Sequence, residues 1–178
     1  MISGVLLLSI SSMIRESVSV AVLWMGHPDK GGPSRVMAWM LWSEVLKKIN
    51  KNSDAYADVL YKRGSSYERL GDDESSDKDL LKSLTIKPND PYVLNYLGYG
   101  WLERGYRIQE AVDMLDKAYN QKQNDPFIID SVGWGYYLIG DFVNAEIFLR
   151  KAIQLLPNDP IINDHYGDCL LYTSDAAD

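Results

Sequence analysis

Residues that could carry out chemistry are few in this chain. It contains two histidines, His27 and His165, and a single cysteine, Cys169. His165 directly follows Asp164, so on one helix the two side chains would point in different directions. The sequence has no glycine-rich phosphate loop, no Gly-x-Ser-x-Gly nucleophile motif and no His-Glu-x-x-His zinc motif. We therefore predict no catalytic site, no metal site and no bound cofactor, and expect that the chain is not an enzyme.

Two groups of carboxylates have residue types that could bind a metal ion. The run at residues 72–77, Asp-Asp-Glu-Ser-Ser-Asp, resembles part of a calcium loop, but it lacks the glycine needed at the sixth position. Ser83 also stands where a bidentate glutamate belongs. An acidic helix N-terminus explains this run better, because the helix dipole favours negative charge there. Asp164 and Asp168 share a helix face, yet such exposed pairs are more often solvated than bound to metal.

The overall composition is that of a folded, acidic protein. The chain has 178 residues, 46% hydrophobic and 24% charged, with a formal net charge of −7. Binding to nucleic acid requires a basic face that neutralises phosphates, so this class of function is disfavoured. A protein or peptide partner that is neutral or basic, rather than acidic, is favoured.

An internal repeat in the sequence predicts the structural elements that would position any site. Gly64, Gly98, Gly133 and Gly167 are separated by 34, 35 and 34 residues. Asn-Asp-Pro recurs at residues 89–91, 124–126 and 158–160. A second glycine follows seven residues after each of the first three, at positions 71, 105 and 140. Such a set in one register indicates a repeated structural unit.

Each of these residues has a physical role in a helical hairpin. In Asp-Pro, aspartate is a helix N-cap and proline occupies the first turn, so helices should begin at Pro91, Pro126 and Pro160. The glycines at positions 71, 105 and 140 should end the first helix of each pair in a left-handed conformation. Asp72 and Asp141 can then cap the second helix. The mid-helix glycines should mark close approach of a neighbouring helix, since glycine otherwise costs about 1 kcal/mol there.

The pattern of large and small residues resembles the tetratricopeptide repeat. The second unit shows it with Leu94, Leu97-Gly98, Trp101, Ala111, Leu115 and Ala118, and the third with Ile129, Val132-Gly133, Tyr136, Ala145, Leu149 and Ala152. The first unit reads Leu60, Arg63-Gly64 and Tyr67, and it departs from the pattern with serine at both alanine positions, 76 and 83. The second unit has one extra residue in its turn, at residues 106–108. The resemblance covers residues 57–168 and implies an all-α, right-handed solenoid of stacked antiparallel hairpins.

The repeats divide the chain into segments. Repeats occupy residues 57–90, 91–125 and 126–159, and a fourth begins at residues 160–168. Residues 169–178 resemble a translated sequencing adapter, so we predict that they are not native and that the natural protein continues past Asp168. The alternative is that these residues complete a helix.

The first 56 residues show no clear repeat. We predict helices at residues 4–24 and 35–51, joined by a loop at 26–34, which together could form a degenerate repeat or cap. In the second helix, Val36, Met40, Val45 and Leu46 should form the apolar side. No basic residue precedes the apolar start, and Arg15 and Glu16 interrupt it, which disfavours a signal peptide or a membrane span. Attachment of residues 1–24 to a membrane surface is a less favoured alternative.

The resemblance also implies a binding groove on the concave side, lined by the first helix of each unit. Positions 2, 5, 9 and 12 of each unit should face it. The predicted groove residues are Tyr61, Ser65 and Glu68 in the first unit, Tyr92, Asn95 and Tyr99 in the second, Phe127, Asp130, Trp134 and Tyr137 in the third, and Asp164 and Asp168 in the fourth. The same rule also points Asp58, Leu102 and Ile161 into the groove. Packing between repeats is the alternative for the aromatic residues, above all Tyr92 and Phe127.

The predicted function is therefore a protein-interaction scaffold that binds an extended peptide or a partner helix in this groove. The basic clamp with which some family members hold an acidic C-terminus is missing, because the fifth positions carry Tyr61, Asn95, Asp130 and Asp164. The alternative function is the targeting arm of a larger enzyme, such as a glycosyltransferase. The resemblance favours a bacterial protein of the cytoplasm, periplasm or cell envelope.

Overall fold

The structure is a computed structural model that describes residues 35–175, including the side chains of residues 38–172. In this range the chain forms α-helices joined by short turns, which confirms the predicted all-α class. The helices are α1 (Arg35–Leu46), α2 (Asp54–Glu68), α3 (Asp73–Ile86), α4 (Pro91–Glu103), α5 (Ile108–Gln121), α6 (Pro126–Leu138), α7 (Phe142–Leu155) and α8 (Pro160–Asp175).

The chain divides into two compact units, with the boundary inside α3 between Asp79 and Leu80. In the described part of the first unit, α1 packs against α2. Helix α1 ends at Leu46 rather than at Lys51 as predicted. Its buried side includes Trp42 and Leu46, whereas Met40 is exposed, so the predicted apolar side was wrong at that residue. The helix and loop predicted at residues 4–24 and 26–34 lie outside the described residues.

In the second unit, helices that follow one another in the chain pack in consecutive pairs from α4 to α8. One core layer joins Leu94 of α4, Ala118 of α5 and Ile128 of α6. The next layer joins Ile129, Ala152 and Ile162 from α6, α7 and α8. Each helix pair therefore buries its apolar side against the next pair, as stacked hairpins require. The right-handed superhelix and the boundaries of individual repeats stay predictions.

The predicted helix starts are confirmed at Pro91, Pro126 and Pro160. The preceding aspartates accept hydrogen bonds from the free amides of the first turn. Asp90 Oδ1 accepts from the amides of residues 92 and 93 at 3.1 and 3.3 Å. Asp125 repeats this arrangement at the same distances, and Asp159 does so at 3.0 and 3.2 Å. This capping explains why three helices begin at the same place in the repeat.

The predicted helix ends are also confirmed. Gly71, Gly105 and Gly140 have φ values of 79°, 61° and 82°, in the left-handed region that glycine tolerates best. Asp72 and Asp141 then cap the following helices, because their carboxylates accept from the amides of Ser75 at 3.1 Å and Asn144 at 3.2 Å. The acidic run at 72–77 therefore forms the start of α3, as predicted.

The extra residue in the second hairpin changes its turn. Arg107 precedes α5 in the left-handed region, with a φ of 48°, and its side chain does not cap the helix. Ala111, Leu115 and Ala118 are nevertheless fully buried. The hairpin thus absorbs the insertion as local backbone strain and keeps the packing positions of the repeat.

The mid-helix glycines differ in how closely a neighbour approaches. A Cβ atom added at Gly133 would lie 2.7 Å from Leu149 Cγ, and one at Gly98 would lie 3.1 Å from the Ala111 carbonyl oxygen. Close approach is therefore confirmed at these two glycines. At Gly167 the prediction was wrong, because a Cβ there would have no neighbour within 4 Å. No helix follows α8 in the described residues to pack against it.

Helix α8 continues through residues 169–175, and Cys169 is buried against Ala145 and Leu149. A helical conformation is compatible with either origin of this segment, so its assignment as non-native sequence stays a prediction. Among the helices that the structure describes, none is both long enough and apolar enough to cross a membrane.

Candidate protein-interaction site

The first helices of successive hairpins lie side by side in the second unit, since α4 contacts α6 and α6 contacts α8. Residues spaced by three and four along each helix share a face. We call the combined face of these three helices the first-helix face. It carries the predicted groove residues of the second unit, which are Tyr92, Asn95, Tyr99, Phe127, Asp130, Trp134, Tyr137, Asp164 and Asp168.

One row on this face consists of exposed apolar side chains. Tyr92, Phe127 and Ile161, each directly after the proline that starts its helix, are 48%, 56% and 54% exposed. Packing between repeats was the alternative role for Tyr92 and Phe127, but about half of each side chain meets solvent. Lys122 Nζ lies 5.6 Å from the centre of the Tyr92 ring, within the range of a cation–π contact. The face therefore offers an apolar side chain once per repeat.

A buried pair joins α6 to α8. Asp130 Oδ2 lies 2.9 Å from His165 Nδ1, and the two residues are only 4% and 7% exposed. The sequence predicted that Asp130 would present its carboxylate in the groove, but the structure buries it against a histidine that was not predicted to take part. Burial of a carboxylate is costly unless it gains a partner, and His165 supplies one. Asp130 Oδ1 has no hydrogen-bond partner in the described part of the chain.

The His165 ring of this pair belongs to a stack of three aromatic rings. The Trp134 ring lies nearly parallel to the His165 ring, with centroids 4.3 Å apart, and nearly parallel to the Tyr137 ring at 5.0 Å. Tyr99 lies 6.1 Å from His165 with its ring tilted. Aromatic pairs in such geometry stabilise the fold beyond the area they bury. Trp134 and His165 therefore help fix the position of α8 against α6.

Glu103, at the end of α4, is held by two donors from this ring cluster. The Trp134 Nε1–H donates to Glu103 Oε1 at 3.1 Å. The Tyr99 hydroxyl also donates to the Glu103 carboxylate. Burial raises the pKa of Tyr99, and the nearby negative charges of Glu103 and Asp130 raise this pKa further. Tyr99 thus keeps its proton and remains a donor to Glu103.

The remaining predicted residues lie as follows. Asp164 and Asp168 are exposed on α8. Burial raises the pKa of Tyr137, with a further contribution from the charge of Asp168. Leu102 was expected to face the groove, and this was wrong, because it is buried where α4 meets Gly135 of α6. Asn95 is partly buried, and its Oδ1 has no partner in the described part of the chain.

Four predicted residues belong to α2 in the first unit. The Ser65 hydroxyl donates to the Lys62 carbonyl oxygen at 2.9 Å, which uses its donor within the helix. Tyr61 is partly buried, while Asp58 and Glu68 are exposed. Their membership of a common groove with the first-helix face stays a prediction.

Sequence analysis missed two residues of the site, Glu103 and His165. Each follows a predicted groove position by one residue, after Leu102 and Asp164 respectively. The periodicity of one helix indicates which residues share a face but not which of them meets the neighbouring helix. A search for polar residues one repeat apart, such as Asp130 and His165, would have provided a signal.

The described residues also show what this site does not resemble. Within residues 35–175, no group of three or more His, Cys, Asp or Glu side chains is arranged to hold a metal ion. The features that the structure does bring together are aromatic rings, carboxylates and exposed apolar side chains on adjacent helices. They define a helical-hairpin repeat protein.

Comparison with known proteins agrees with this class. Residues 57–90 match the family model described as tetratricopeptide repeat. The chain is 34% identical over 131 residues to the TPR repeat-containing protein PA4667 of Pseudomonas aeruginosa, a match that covers 74% of this chain. It spans only 21% of the length of that relative. The chain is a tetratricopeptide-repeat protein, of a type that typically mediates protein–protein interaction.

Solved structures show the same fold at low identity. MamA from Desulfovibrio magneticus RS-1 superposes with a TM-score of 0.72 at 19% identity, covering 93% of this chain and 86% of that protein. The first TPR of Spaghetti (RPAP3), bound to the HSP90 peptide SRMEEVD, superposes with a TM-score of 0.63 at 13% identity. That match covers 68% of this chain and 96% of the RPAP3 domain.

Proposed function

We propose that the chain is a protein-interaction scaffold whose first-helix face binds an extended peptide or a helix of a partner protein. The observation that carries this proposal is the row of half-exposed apolar side chains, Tyr92, Phe127 and Ile161, at the same position of three successive hairpins. Exposed apolar side chains in a contiguous arrangement are typical of interaction surfaces. The spacing of one per helix suits a ligand that runs across the helices.

The exposed carboxylates of the first-helix face favour a neutral or basic partner. Glu103, Asp164 and Asp168 are exposed on it, and Asp130 lies beneath it. The peptide bound by the RPAP3 domain, SRMEEVD, is acidic. An acidic ligand would meet repulsion on the face described here, since like charges disfavour association. If the chain is instead the targeting arm of a larger enzyme, it would bind its partner through this same face. The compartment, bacterial cytoplasm or cell envelope, stays a prediction.

The variants that test this proposal should change exposed residues, so that loss of binding is not caused by unfolding. Asp130→Lys would place a cation beside His165 in a buried site and could unfold the hairpin. Tyr92→Ser with Phe127→Ser changes only side chains that already meet solvent. The matched control is Val143→Ser with Ile147→Ser, which removes two exposed apolar side chains from α7.

Each variant of the full chain would be used to capture partners from bacterial lysate, with quantification by mass spectrometry. We expect a partner of the unaltered chain to be lost with the Tyr92/Phe127 variant and kept with the Val143/Ile147 variant. The opposite pattern would move the binding site to α7. Capture of the same partner by both variants would contradict a site on the first-helix face.

A further inference from the structure

Glu103 differs from the other exposed carboxylates of the first-helix face because its position is fixed. Its carboxylate accepts hydrogen bonds from Trp134 Nε1 and from the Tyr99 hydroxyl. A carboxylate offers about four lone-pair sites, so two such bonds leave further acceptor capacity. The side chain is exposed, and that capacity is open to a ligand.

The charges of two carboxylates, Glu103 and Asp130, act on the Tyr99 phenol. Asp130, which is 4% exposed, lies close enough to Tyr99 for its charge to act on the phenol, and its Oδ1 has no partner in the described part of the chain. His165 pairs with the other oxygen only. The neighbouring Arg104 directs its Nε to the Gly100 carbonyl oxygen at 2.9 Å. A cation brought by a ligand would be attracted to these two carboxylates.

The aromatic rings narrow the choice of cation. Trp134 already has two rings stacked parallel to it, His165 and Tyr137. Its π surface is therefore used within the protein and does not form an open aromatic cage of the kind that holds quaternary ammonium groups. The contact that remains free is the Glu103 carboxylate, which requires N–H donors.

We propose that Glu103, positioned by Trp134 and Tyr99, is a subsite for an arginine or lysine side chain of the partner. This rests on the proposed function, because the basic side chain belongs to the peptide or helix bound on the first-helix face. Arginine fits better than lysine, since its guanidinium can donate two parallel hydrogen bonds to one carboxylate. Glu103 lies 11 residues along α4 from Tyr92, which is about 16 Å, so the basic residue of the partner would be roughly five extended residues away from those that contact the Tyr92–Phe127 row.

The variant that isolates this contact is Glu103→Gln. Glutamine keeps an oxygen that can accept from Trp134 and Tyr99 but loses the charge. Glu110→Gln is the matched control, since Glu110 is exposed on α5 and pairs with Arg107 within its own helix turn. The full chain and both variants would each select binders from a library of short random peptides.

We expect the unaltered chain and Glu110→Gln to select peptides with arginine or lysine at one position, and Glu103→Gln to lose that preference. A selected peptide and its Arg→Gln version would then be measured against the chain and Glu103→Gln. We expect either single change to weaken binding by roughly tenfold or more. The two changes together should add little, because they remove the same contact.

The outcomes separate this inference from the proposed function. If no peptide binds the unaltered chain, the proposed function fails and the subsite fails with it. If peptides bind but the basic preference is absent, or survives in Glu103→Gln, the face binds peptides and the subsite is overturned. Additive losses in the pairwise test would also overturn it.

Discussion

The first and third hairpins occupy the same repeat positions with different chemistry. In the third hairpin, Val132 precedes the mid-helix glycine and is buried, as Leu97 is in the second. The first hairpin has Arg63 there, and it pairs with Asp79 of the following helix through Nε–Oδ2 at 2.6 Å and a second guanidinium hydrogen bond at 2.8 Å. The position of Asp79 corresponds to Met114 and Phe148 in the later hairpins.

The comparison shows that the same two repeat positions can carry either a polar or an apolar pair of side chains. The first hairpin has a bidentate ion pair at the positions where the later hairpins have two apolar residues, and Arg63 donates to both carboxylate oxygens of Asp79. Ser66 and Ser76, also in the first unit, are buried as well, so the polar character extends beyond the ion pair. The Arg63 pKa is raised, mainly by the hydrogen bond to Asp79. The first hairpin therefore depends on a specific pair where the third depends on close packing.

The largest effect should come from breaking this pair. Arg63→Met would leave Asp79, which is 6% exposed, without its cation. Loss of one partner of a buried ion pair costs about 3–5 kcal/mol. We expect a lower urea midpoint in far-UV circular dichroism, together with faster hydrogen exchange in α2.

A double variant tests whether apolar residues can replace this ion pair. Arg63→Leu with Asp79→Met introduces the residues found at these positions in the second hairpin. Replacement of a buried ion pair by apolar residues of similar volume is often neutral or stabilising. A double variant as unstable as Arg63→Met would show that the first hairpin cannot accept the apolar packing of its neighbours.

A somewhat smaller effect is expected from overpacking the third hairpin with Gly133→Leu. A Cβ at this position would lie 2.7 Å from Leu149 Cγ and 3.0 Å from the Leu149 amide nitrogen, so α7 would have to move. Overpacking of this kind costs about 1–3 kcal/mol. Thermal unfolding followed by circular dichroism would measure the loss.

The control for this change is the substitution of glycine by alanine at two positions of the repeats, 133 and 100. Gly133→Ala should still destabilise, because its Cβ makes the clash. Gly100→Ala introduces a Cβ with no neighbour within 4 Å, and the higher helix propensity of alanine should stabilise the chain by about 0.5–1 kcal/mol. Equal effects of the two alanines would mean that α6 and α7 do not approach closely at Gly133.

The contrast between the hairpins also shows how much of the fold could be predicted from the sequence. Helix starts at Pro91, Pro126 and Pro160 and left-handed turns at the repeat glycines were predicted correctly. These features depend on residues within a few positions of each other, since a cap or a positive φ is decided locally. The ion pair between Arg63 and Asp79 was not predicted, because it joins two helices.

The site was less predictable, because its main contacts join different helices. The Asp130–His165 pair spans 35 residues of sequence, and the Trp134–Glu103 hydrogen bond spans 31. Which residues meet across two helices depends on their relative rotation, which side-chain periodicity within one helix does not give. The same limit explains why Leu102 was placed in the groove although it is buried.

The smallest effect is expected at Asp116, whose carboxylate is bound by a tyrosine hydroxyl, whereas that of Asp79 pairs with an arginine. Asp116 of α5 is bound by the Tyr136 hydroxyl, at 3.4 and 3.3 Å from its two oxygens. Burial is the main cause that raises the pKa of Asp116, and repulsion from Asp113 adds to it, while the Tyr136 hydrogen bond opposes both. Neutralising this group should therefore stabilise the fold, whereas removing Arg63 from Asp79 should destabilise it.

Asp116→Asn keeps an oxygen that accepts from Tyr136 and removes the charge. The folded pKa of Asp116 lies above the unfolded value of 3.8, so the charged form costs stability once the pH rises through the folded pKa. We expect the variant to be more stable at neutral pH, by less than about 1 kcal/mol because Asp116 is partly solvated. Well below pH 3.8 the carboxyl is protonated in both states, and the difference in melting temperature should vanish. A difference that stayed constant across this pH range would assign the effect to packing instead of charge.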